Sequence, residues 1–263
     1  MNLPGTFKAQ KKDGSIYYRS SITYKNKHIS LGSYGTQQAA HQAYLEASLL
    51  LENSQILLED YDEDNTLSFE KWVILTNFRD NHIYFSTPIY VRKKLFHYYL
   101  SRQIRLTFDM EDLFFYASHK ITQRKGHLFV ADYGMQITIT SRYGIKNYGV
   151  EGKDYRFING DNHDFRYENI EILNPYQGVE KVSYHKKECY ASKINLNGYY
   201  LIGHYPTALE AAIAYNKAID LLKKRGVTKN FFYNEMEGVS PSHYANLYSQ
   251  LKISEKILHY RAE

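Results

Sequence analysis

The residues whose types and spacing could do chemistry cluster between Phe157 and Leu173, in the stretch FINGDNHDFRYENIEIL. Asp161, His163 and Asp164 lie within four consecutive positions there. Carboxylate and imidazole groups bind divalent metals, so the three side chains could hold an ion if the chain brings them together. Asp and Asn in such runs more often form turns, because they accept hydrogen bonds from their own backbone. The stretch is therefore either a metal site or a polar turn.

The elements expected around this stretch are a hairpin and a short helix. Segment 126–174 begins with an alternating pattern typical of a β-hairpin, and residues 164–169 predict a loop that leads into a short helix. Strand, loop and helix in this order match a ββα-metal site, and the segment resembles the HNH (His-Asn-His) homing-endonuclease family of phages. The positions that fit this family's frame are Ile158, Asn159, Gly160, Asp161, Asp164, Arg166, Glu168, Asn169 and Ile170.

The resemblance also shows what is missing from the family's site. The family's metal ligand is replaced by Arg156, a fixed positive charge where a cation should bind. Its general-base histidine is replaced by Phe157, which cannot accept a proton from water. We therefore predict no catalytic residue, no cofactor and no bound metal. Arg156 and Arg166 are instead candidate contacts to DNA phosphates. The weak candidates for a rebuilt metal site are Asp161, His163 and Asn169.

One short module occurs twice in the chain. Its copies are YYRSSITYKNKHISLGSYGTQQAAHQAY, residues 17–44, and CYASKINLNGYYLIGHYPTALEAAIAY, residues 189–215. The residues matched at a constant offset are Gly32, Thr36, Ala40, Ala43 and Tyr44 with Gly203, Thr207, Ala211, Ala214 and Tyr215. In the first halves the offset is one residue larger, as between Tyr18 and Tyr190, so the second copy lacks one residue near Asn197-Gly198. Alternation over residues 17–25 predicts a strand, and Lys25-Asn26 and Asn197-Gly198 are hairpin turn signals. Thr207 with Glu210 predicts a capping box before an alanine-rich helical pattern. Each copy is therefore expected to form three antiparallel strands backed by one helix.

Both copies resemble the apetala-two/ethylene-response-factor family of DNA-binding domains, including its prokaryotic and phage forms. The resemblance rests on the aromatic-x-small-x-Ile strand, the LGSY and IGHY steps and the Thr-x-x-x-Ala helix, and it covers about residues 3–52 and 176–234. In that family the sheet lies in the DNA major groove, which implies that alternate strand residues contact bases and phosphates. The residues implicated in this way are Lys8, Gln10, Arg19, Ser21, Thr23, His28 and Ser30 in the first copy, and Ser183, His185, Lys193, Asn195 and Tyr199 in the second.

The remaining segments match no motif. Residues 53–125 predict a mostly helical spacer, with helical patterns over 90–106 and 109–121. Residues 235–263 predict a helical tail that packs on the second copy or mediates a homodimer. The domains expected are a first DNA-binding module (1–52), the spacer (53–125), a degenerate HNH-like unit (126–175), a second DNA-binding module (176–234) and the tail (235–263).

Composition sets the broad class. The net charge of +5 permits a nucleic-acid partner without requiring one. Cys189 is the only cysteine, so the chain cannot form an internal disulfide and we expect a reducing compartment. The sequence begins without an apolar signal region, and no window approaches 18 apolar residues. We expect a cytoplasmic, nucleoid-associated protein with no membrane partner.

These observations predict an α+β protein with two sheet-plus-helix modules around a ββα-type unit. The function we expect is sequence-specific binding of double-stranded DNA by a transcription regulator derived from a homing endonuclease. Two alternatives stay open: an active metal-dependent nuclease with a rebuilt site, and a factor that binds another protein for an anti-defence or structural role.

Overall fold

The structure is a computed structural model that describes residues 3–146 and 149–261. It is a mixed α+β fold with six α-helices and several small three-stranded antiparallel sheets in the described residues. The chain divides into two compact units. The first unit comprises residues 1–139 and 157–170, and the second comprises residues 140–156 and 171–263. No helix in the described ranges is long and apolar enough to cross a membrane.

The first unit begins with a three-stranded sheet and a helix, β1 (Thr6–Gln10), β2 (Ile16–Tyr24), β3 (Lys27–Tyr34) and α1 (Gln37–Glu52). The strands are antiparallel in the order β1-β2-β3. The strand predicted over residues 17–25 is confirmed, and so is its turn, where Lys25 and Asn26 both have positive φ. Ala40, Ala43 and Ala47 of α1 are fully buried, because their small side chains let the helix lie close to the sheet.

The chain then continues through a 3₁₀ turn (Leu58–Asp60), α2 (Phe69–Asn81), β4 (Ile89–Val91), β5 (Leu95–Tyr99), β6 (Arg105–Asp109) and α3 (Leu113–Ser118). The helix predicted over residues 90–106 is wrong, since these residues form β4, β5 and the start of β6. Phe96 and Tyr98 are buried on one face of β5 while His97 between them is only half-buried, which is a period of two. Basic residues in the turns between the strands interrupt this period and imitate an amphipathic helix. The spacer is therefore a mixed region, and not a mostly helical one.

The segment that resembles a nuclease contains strands and single 3₁₀ turns. Its elements are β8 (His127–Asp132), β9 (Met135–Thr138), β10 (Tyr155–Phe157) and β11 (Ile170–Ile172), and they follow β7 (Thr122–Arg124) at the end of the spacer. The hairpin predicted at the start is confirmed by the pairing of β8 with β9. The short helix predicted after Asp164 is a single 3₁₀ turn, Tyr167–Asn169, because the chain extends at once into β11 and pairs with β10. The helix of a ββα unit is thus absent from the described residues between 126 and 175.

The second unit contains β12 (Val179–Tyr184), β13 (Lys187–Asn195), β14 (Tyr199–Tyr205), α4 (Ala208–Lys224), α5 (Pro241–Gln250) and α6 (Glu255–Leu258). The predicted capping box is present at the start of α4. The tail is helical as predicted, and it packs on the second copy through the buried side chains of Ile253 and Ile257. The Tyr205 hydroxyl donates to the Lys252 carbonyl at 2.7 Å, and the Ser254 N–H donates to the Ile202 carbonyl at 2.8 Å.

The two copies share local irregularities as well as strand order. In each sheet a β-bulge shifts the register at equivalent positions of the middle strand, between Ser20 and Ser21 and between Ser192 and Lys193. The span between equivalent strand pairs is one residue shorter in the second copy, since Thr23 pairs with His28 but Asn195 pairs with Tyr199. This confirms the missing residue inferred from the sequence.

Candidate nucleic-acid interface

The outer surface of the first sheet is the side turned away from α1. Directly paired residues in antiparallel strands share a face, and alternate residues along a strand lie on opposite faces. Ile22 and Ile29 are paired and buried against α1, so the pairs on either side of them mark the outer surface. We call this surface the first sheet face, and its residues are Phe7, Ala9, Tyr17, Arg19, Ser21, Thr23, His28, Ser30 and Ser33.

Arg19 is the central cation of the first sheet face. It pairs with Phe7 on one side and Ser33 on the other, and it is exposed. Its Nη2 donates a hydrogen bond of 2.8 Å to the Tyr17 hydroxyl, and its guanidinium carbon lies 5.6 Å from the centre of the Tyr17 ring. No carboxylate among the described residues forms an ion pair with it. Tyr17 therefore orients the guanidinium and leaves part of its donor set open to solvent.

Positive charge is concentrated around this sheet. Residues 3–34 hold six lysine or arginine residues and one acidic residue, Asp13, so they account for the whole net charge of +5 and the rest of the chain is balanced. Thr23, His28 and Ser30 are exposed on the same face as Arg19, as the sequence predicted. The first sheet face thus carries one arginine together with hydroxyl and imidazole groups, and the module around it is rich in basic residues.

Three predicted residues of the first copy need correction. Lys8 and Gln10 pair with Tyr18 and Ile16, which places them on the side of the sheet that carries α1. Both are exposed, and β1 is an edge strand of the sheet. Ser21 lies on the first sheet face but is buried, since it sits on the middle strand and its N–H is bonded to the Gly5 carbonyl.

The second sheet has a corresponding outer surface with different chemistry. We call it the second sheet face, and its residues are Glu180, Val182, Tyr184, Lys187, Cys189, Ala191, Lys193, Asn195, Tyr199, Leu201 and His204. The Lys193 ammonium donates to Glu180 Oε2 at 3.0 Å, and Lys153 donates to the other oxygen of the same carboxylate. These two lysines hold the pKa of Glu180 below its usual range. Lys193 is therefore neutralised locally, unlike Arg19.

The other predicted residues of the second copy are divided between several environments. Ser183 pairs with Glu188 and shares the helix side with Val179, so its assignment to the outer face is corrected. His185 is exposed in the β12–β13 turn with a φ of 50°. Asn195 and Tyr199 are paired on the second sheet face, and Tyr199 is 80% exposed.

Both arginines of the nuclease-like segment are bound to carboxylates. Arg156 is exposed, and its Nε donates to Glu171 at 2.6 Å. Arg166 donates from Nε and Nη2 to the buried Asp164, at 2.9 and 2.7 Å, and from Nη1 to Glu168. Hydrogen bonding to Asp164 raises the pKa of Arg166 further above its usual value. Arg166 thus fixes the loop, and a phosphate would have to displace Asp164 to reach its guanidinium.

Phe157, at the position that the family resemblance assigns to the general base, is a buried core residue. Its ring packs edge-on against Phe165 with centroids 5.4 Å apart. Phe165 stacks on Phe108 of β6, and Phe108 contacts Tyr116 of α3. Phe157 is therefore part of a buried aromatic cluster.

The three weak metal candidates are held in a polar turn. The Asp161 carboxylate accepts the N–H of His163 at 2.9 Å, and it lies 3.6 Å from the imidazole Nδ1. Asn169 is buried, donates to the carbonyl of Asp164 and accepts the N–H of Asn159. Its carboxamide is thus committed to the backbone of the loop. The described part of the chain contains no group of three or more His, Cys, Asp or Glu side chains placed to hold a metal ion.

The sequence analysis missed several residues of the two sheet faces, namely Phe7, Tyr17 and Ser33 in the first copy and Glu180, Tyr184 and His204 in the second. Tyr184 and His204 stack with ring centroids 4.2 Å apart. Tyr17 could have been found from the strand alternation alone, whereas the others depend on the register of neighbouring strands.

Comparisons with protein-family models, with curated proteins and with solved structures gave no match to this chain.

Proposed function

We propose that the protein binds double-stranded DNA in a sequence-specific manner and acts as a transcription regulator without nuclease activity. The observation that carries this proposal is Arg19, held by Tyr17 at the centre of an exposed sheet face and free of any carboxylate partner in the described residues. Arginine in this setting is the side chain best suited to a guanine edge, because its fork donates to two acceptors of that base in the major groove.

The groups around Arg19 suit the same role. The side chains of Thr23, His28 and Ser30 can contact base edges or phosphate oxygens. Lys11 and Lys12 lie in the exposed β1–β2 turn, where they can contact phosphates on either side of the groove. Phosphate contacts position the protein and base contacts specify the sequence, so the face contains both kinds of group.

The second copy would contribute a weaker contact. Its central cation, Lys193, is paired with Glu180, and Ala191 stands where the first copy has Arg19. Two modules on one chain still raise affinity through effective concentration, even if one of them binds weakly. We therefore propose that the first copy supplies most of the specificity and the second extends the site.

A nuclease alternative has less support from the geometry. Phe157 is buried among aromatic rings, and the Asn169 side chain is committed to the backbone of its own loop. Loss of a general base alone costs roughly 10²–10⁴-fold in rate. The proposal therefore treats the nuclease-like segment as a folded connector derived from a homing endonuclease.

The proposal is tested by selecting duplexes from a random pool with the full chain at moderate salt. We expect one sequence to be enriched, and we expect Arg19→Ala to lose that enrichment while its melting temperature stays near that of the wild type. A pool that remains random after several rounds would overturn sequence-specific binding. Complete absence of retained DNA would favour the protein-binding alternative instead.

A further inference from the structure

A groove in the first unit lies outside both sheet faces. It has a volume of about 560 Å³ and is lined by the turn between β5 and β6, the 3₁₀ turn at Leu58–Asp60, the start of α2 and the loop at residues 161–163. We call it the arginine groove after Arg102 and Arg105. Its volume lies in the range of roughly 300–1,000 Å³ that is usual for small-molecule sites.

The groove is lined by two arginines and two carboxylates, those of Glu59 and Asp161. Arg102 and Arg105 are exposed, and no ion pair joins either guanidinium to a carboxylate in the part of the chain that the structure describes. Burial, followed by the charges of Arg105 and Arg92, lowers the pKa of the nearby His97 to about 4. Because neither guanidinium is bound to a carboxylate of the groove, both can donate to a ligand, and guanidinium groups match phosphate oxygens in pairs.

The groove also has an aromatic wall. Phe69 and Tyr99 meet edge to face with ring centroids 5.7 Å apart, and Leu58 lines the groove beside them. Glu59 and Gln103 add an acceptor and an amide to the polar lining. A planar heterocycle could pack on such a wall and bond its amino groups to these side chains.

We propose that the arginine groove binds a nucleoside phosphate, with Arg102 and Arg105 on the phosphate and Phe69 and Tyr99 against the base. The same chemistry is offered by two sources, a free nucleotide that acts as an effector and an unpaired nucleotide at a DNA strand end. The groove is separate from the first sheet face, so this binding does not depend on the proposed reading of duplex DNA.

The experiment is calorimetric titration of the full chain with the four nucleoside 5′-monophosphates, the matching nucleosides and inorganic phosphate. A second arm uses a single-stranded oligonucleotide with and without a 5′-phosphate. The variants are Arg102→Gln with Arg105→Gln, and Arg92→Gln as the control, because Arg92 is an exposed arginine of the same sheet region that lies outside the groove. Arg19→Ala is titrated in parallel.

We expect at least one mononucleotide, or the phosphorylated oligonucleotide, to bind with a Kd that rises tenfold or more in the double variant and stays unchanged in Arg92→Gln. Binding of mononucleotides identifies a free effector, and binding of the phosphorylated oligonucleotide alone identifies a strand end. Retention of either binding in Arg19→Ala separates this site from duplex binding. Kd values that the double variant leaves unchanged, or inorganic phosphate that binds as tightly as the nucleotides, would overturn the proposal.

Discussion

Arg19 and Arg92 are both exposed arginines that lie over a tyrosine ring, at 5.6 and 4.5 Å from the ring centre. They differ in location, since only Arg19 lies on the first sheet face. We predict that Arg19→Ala weakens binding to the selected duplex by about tenfold or more, since a bidentate contact to a base contributes ~1–3 kcal/mol. The measurement is fluorescence anisotropy with labelled duplex.

Arg92→Ala is the matched control for this prediction, and it should leave the affinity for duplex within about twofold of the wild-type value. Equal losses in both variants would show that general charge, and not the first sheet face, governs binding. An unchanged affinity in Arg19→Ala would remove the central residue from the proposed interface.

Glu180 is an acidic residue on the second sheet face, whereas the first sheet face has no acidic residue. Its carboxylate accepts hydrogen bonds from Lys193 and Lys153, so in the proposed interface both charges would be less open to DNA phosphates. We predict that Glu180→Gln tightens duplex binding several-fold and steepens its salt dependence, because freed lysines release more counter-ions from DNA. Anisotropy titrations across a salt series measure both effects. Weaker binding in this variant would show that Glu180 itself contacts a base.

Phe157 is a core residue, and we predict that its truncation destabilises the first unit. Phe157→Ala removes the edge contact with Phe165, and substitutions of this kind cost ~3–5 kcal/mol. Urea unfolding followed by circular dichroism measures the loss. Phe157→His should also destabilise the unit and should not produce cleavage, because Asn169 remains bonded to the backbone of its loop and Arg156 is paired with Glu171.

Cleavage of DNA by Phe157→His in the presence of Mg²⁺ would contradict this view of the site. A stability equal to that of the wild type in Phe157→Ala would contradict the packing on which it depends.

At the scale of elements, each copy depends on a contact between a glycine before its first strand and a tyrosine of its helix. A Cβ at Gly5 would lie 2.1 Å from the Tyr44 ring, and one at Gly178 would lie 2.3 Å from the Tyr215 ring. Gly178 and Gly238 both have a φ of 73°, but a Cβ at Gly238 would meet no atom within 4 Å. A comparison of alanine substitutions at Gly178 and Gly238 therefore separates the free-energy cost of backbone strain from that of steric overlap.

We predict that Gly178→Ala destabilises the second unit by ~2–5 kcal/mol, the sum of left-handed strain and overpacking. Gly238→Ala should cost only the strain, ~1–2 kcal/mol. Thermal or urea unfolding of the two variants checks the difference. Equal losses would show that Tyr215 moves aside without cost and that the contact does not define the module.

Features set by neighbouring residues in the chain were predictable. The β2 strand, the Lys25-Asn26 turn and the capping box of Thr207 with Glu210 follow from alternation, turn chemistry and local hydrogen bonding. The same alternation located the strand that carries Arg19.

Features set by pairing between strands were not predictable. Lys8 and Ser183 were assigned to the wrong side, because an edge strand's own pattern does not reveal which residue its neighbour pairs with. The sheet at residues 89–109 was mistaken in part for a helix because its basic turns mask the alternation of its strands. The Asn169 side chain hydrogen-bonds to the backbone of Asn159 and Asp164, and no local sequence pattern predicts these two bonds.

At the scale of the whole molecule, the chain places a basic sheet face in one compact unit and a locally neutralised sheet face in the other. The surplus positive charge belongs to residues 3–34, so the strength of binding to DNA should fall steeply as salt is raised. Under the proposed function, this asymmetry predicts a bipartite site with one strong and one weak half.

The most direct measurement is a titration of the full-length protein against its selected duplex with Mg²⁺ present, in which each sample is divided between a native and a denaturing gel. We predict DNA that is retarded on the native gel and full-length on the denaturing gel. Nicked or cut strands would show that the protein is a nuclease with a rebuilt site, and DNA that is never retarded would show that the first sheet face does not bind duplex DNA.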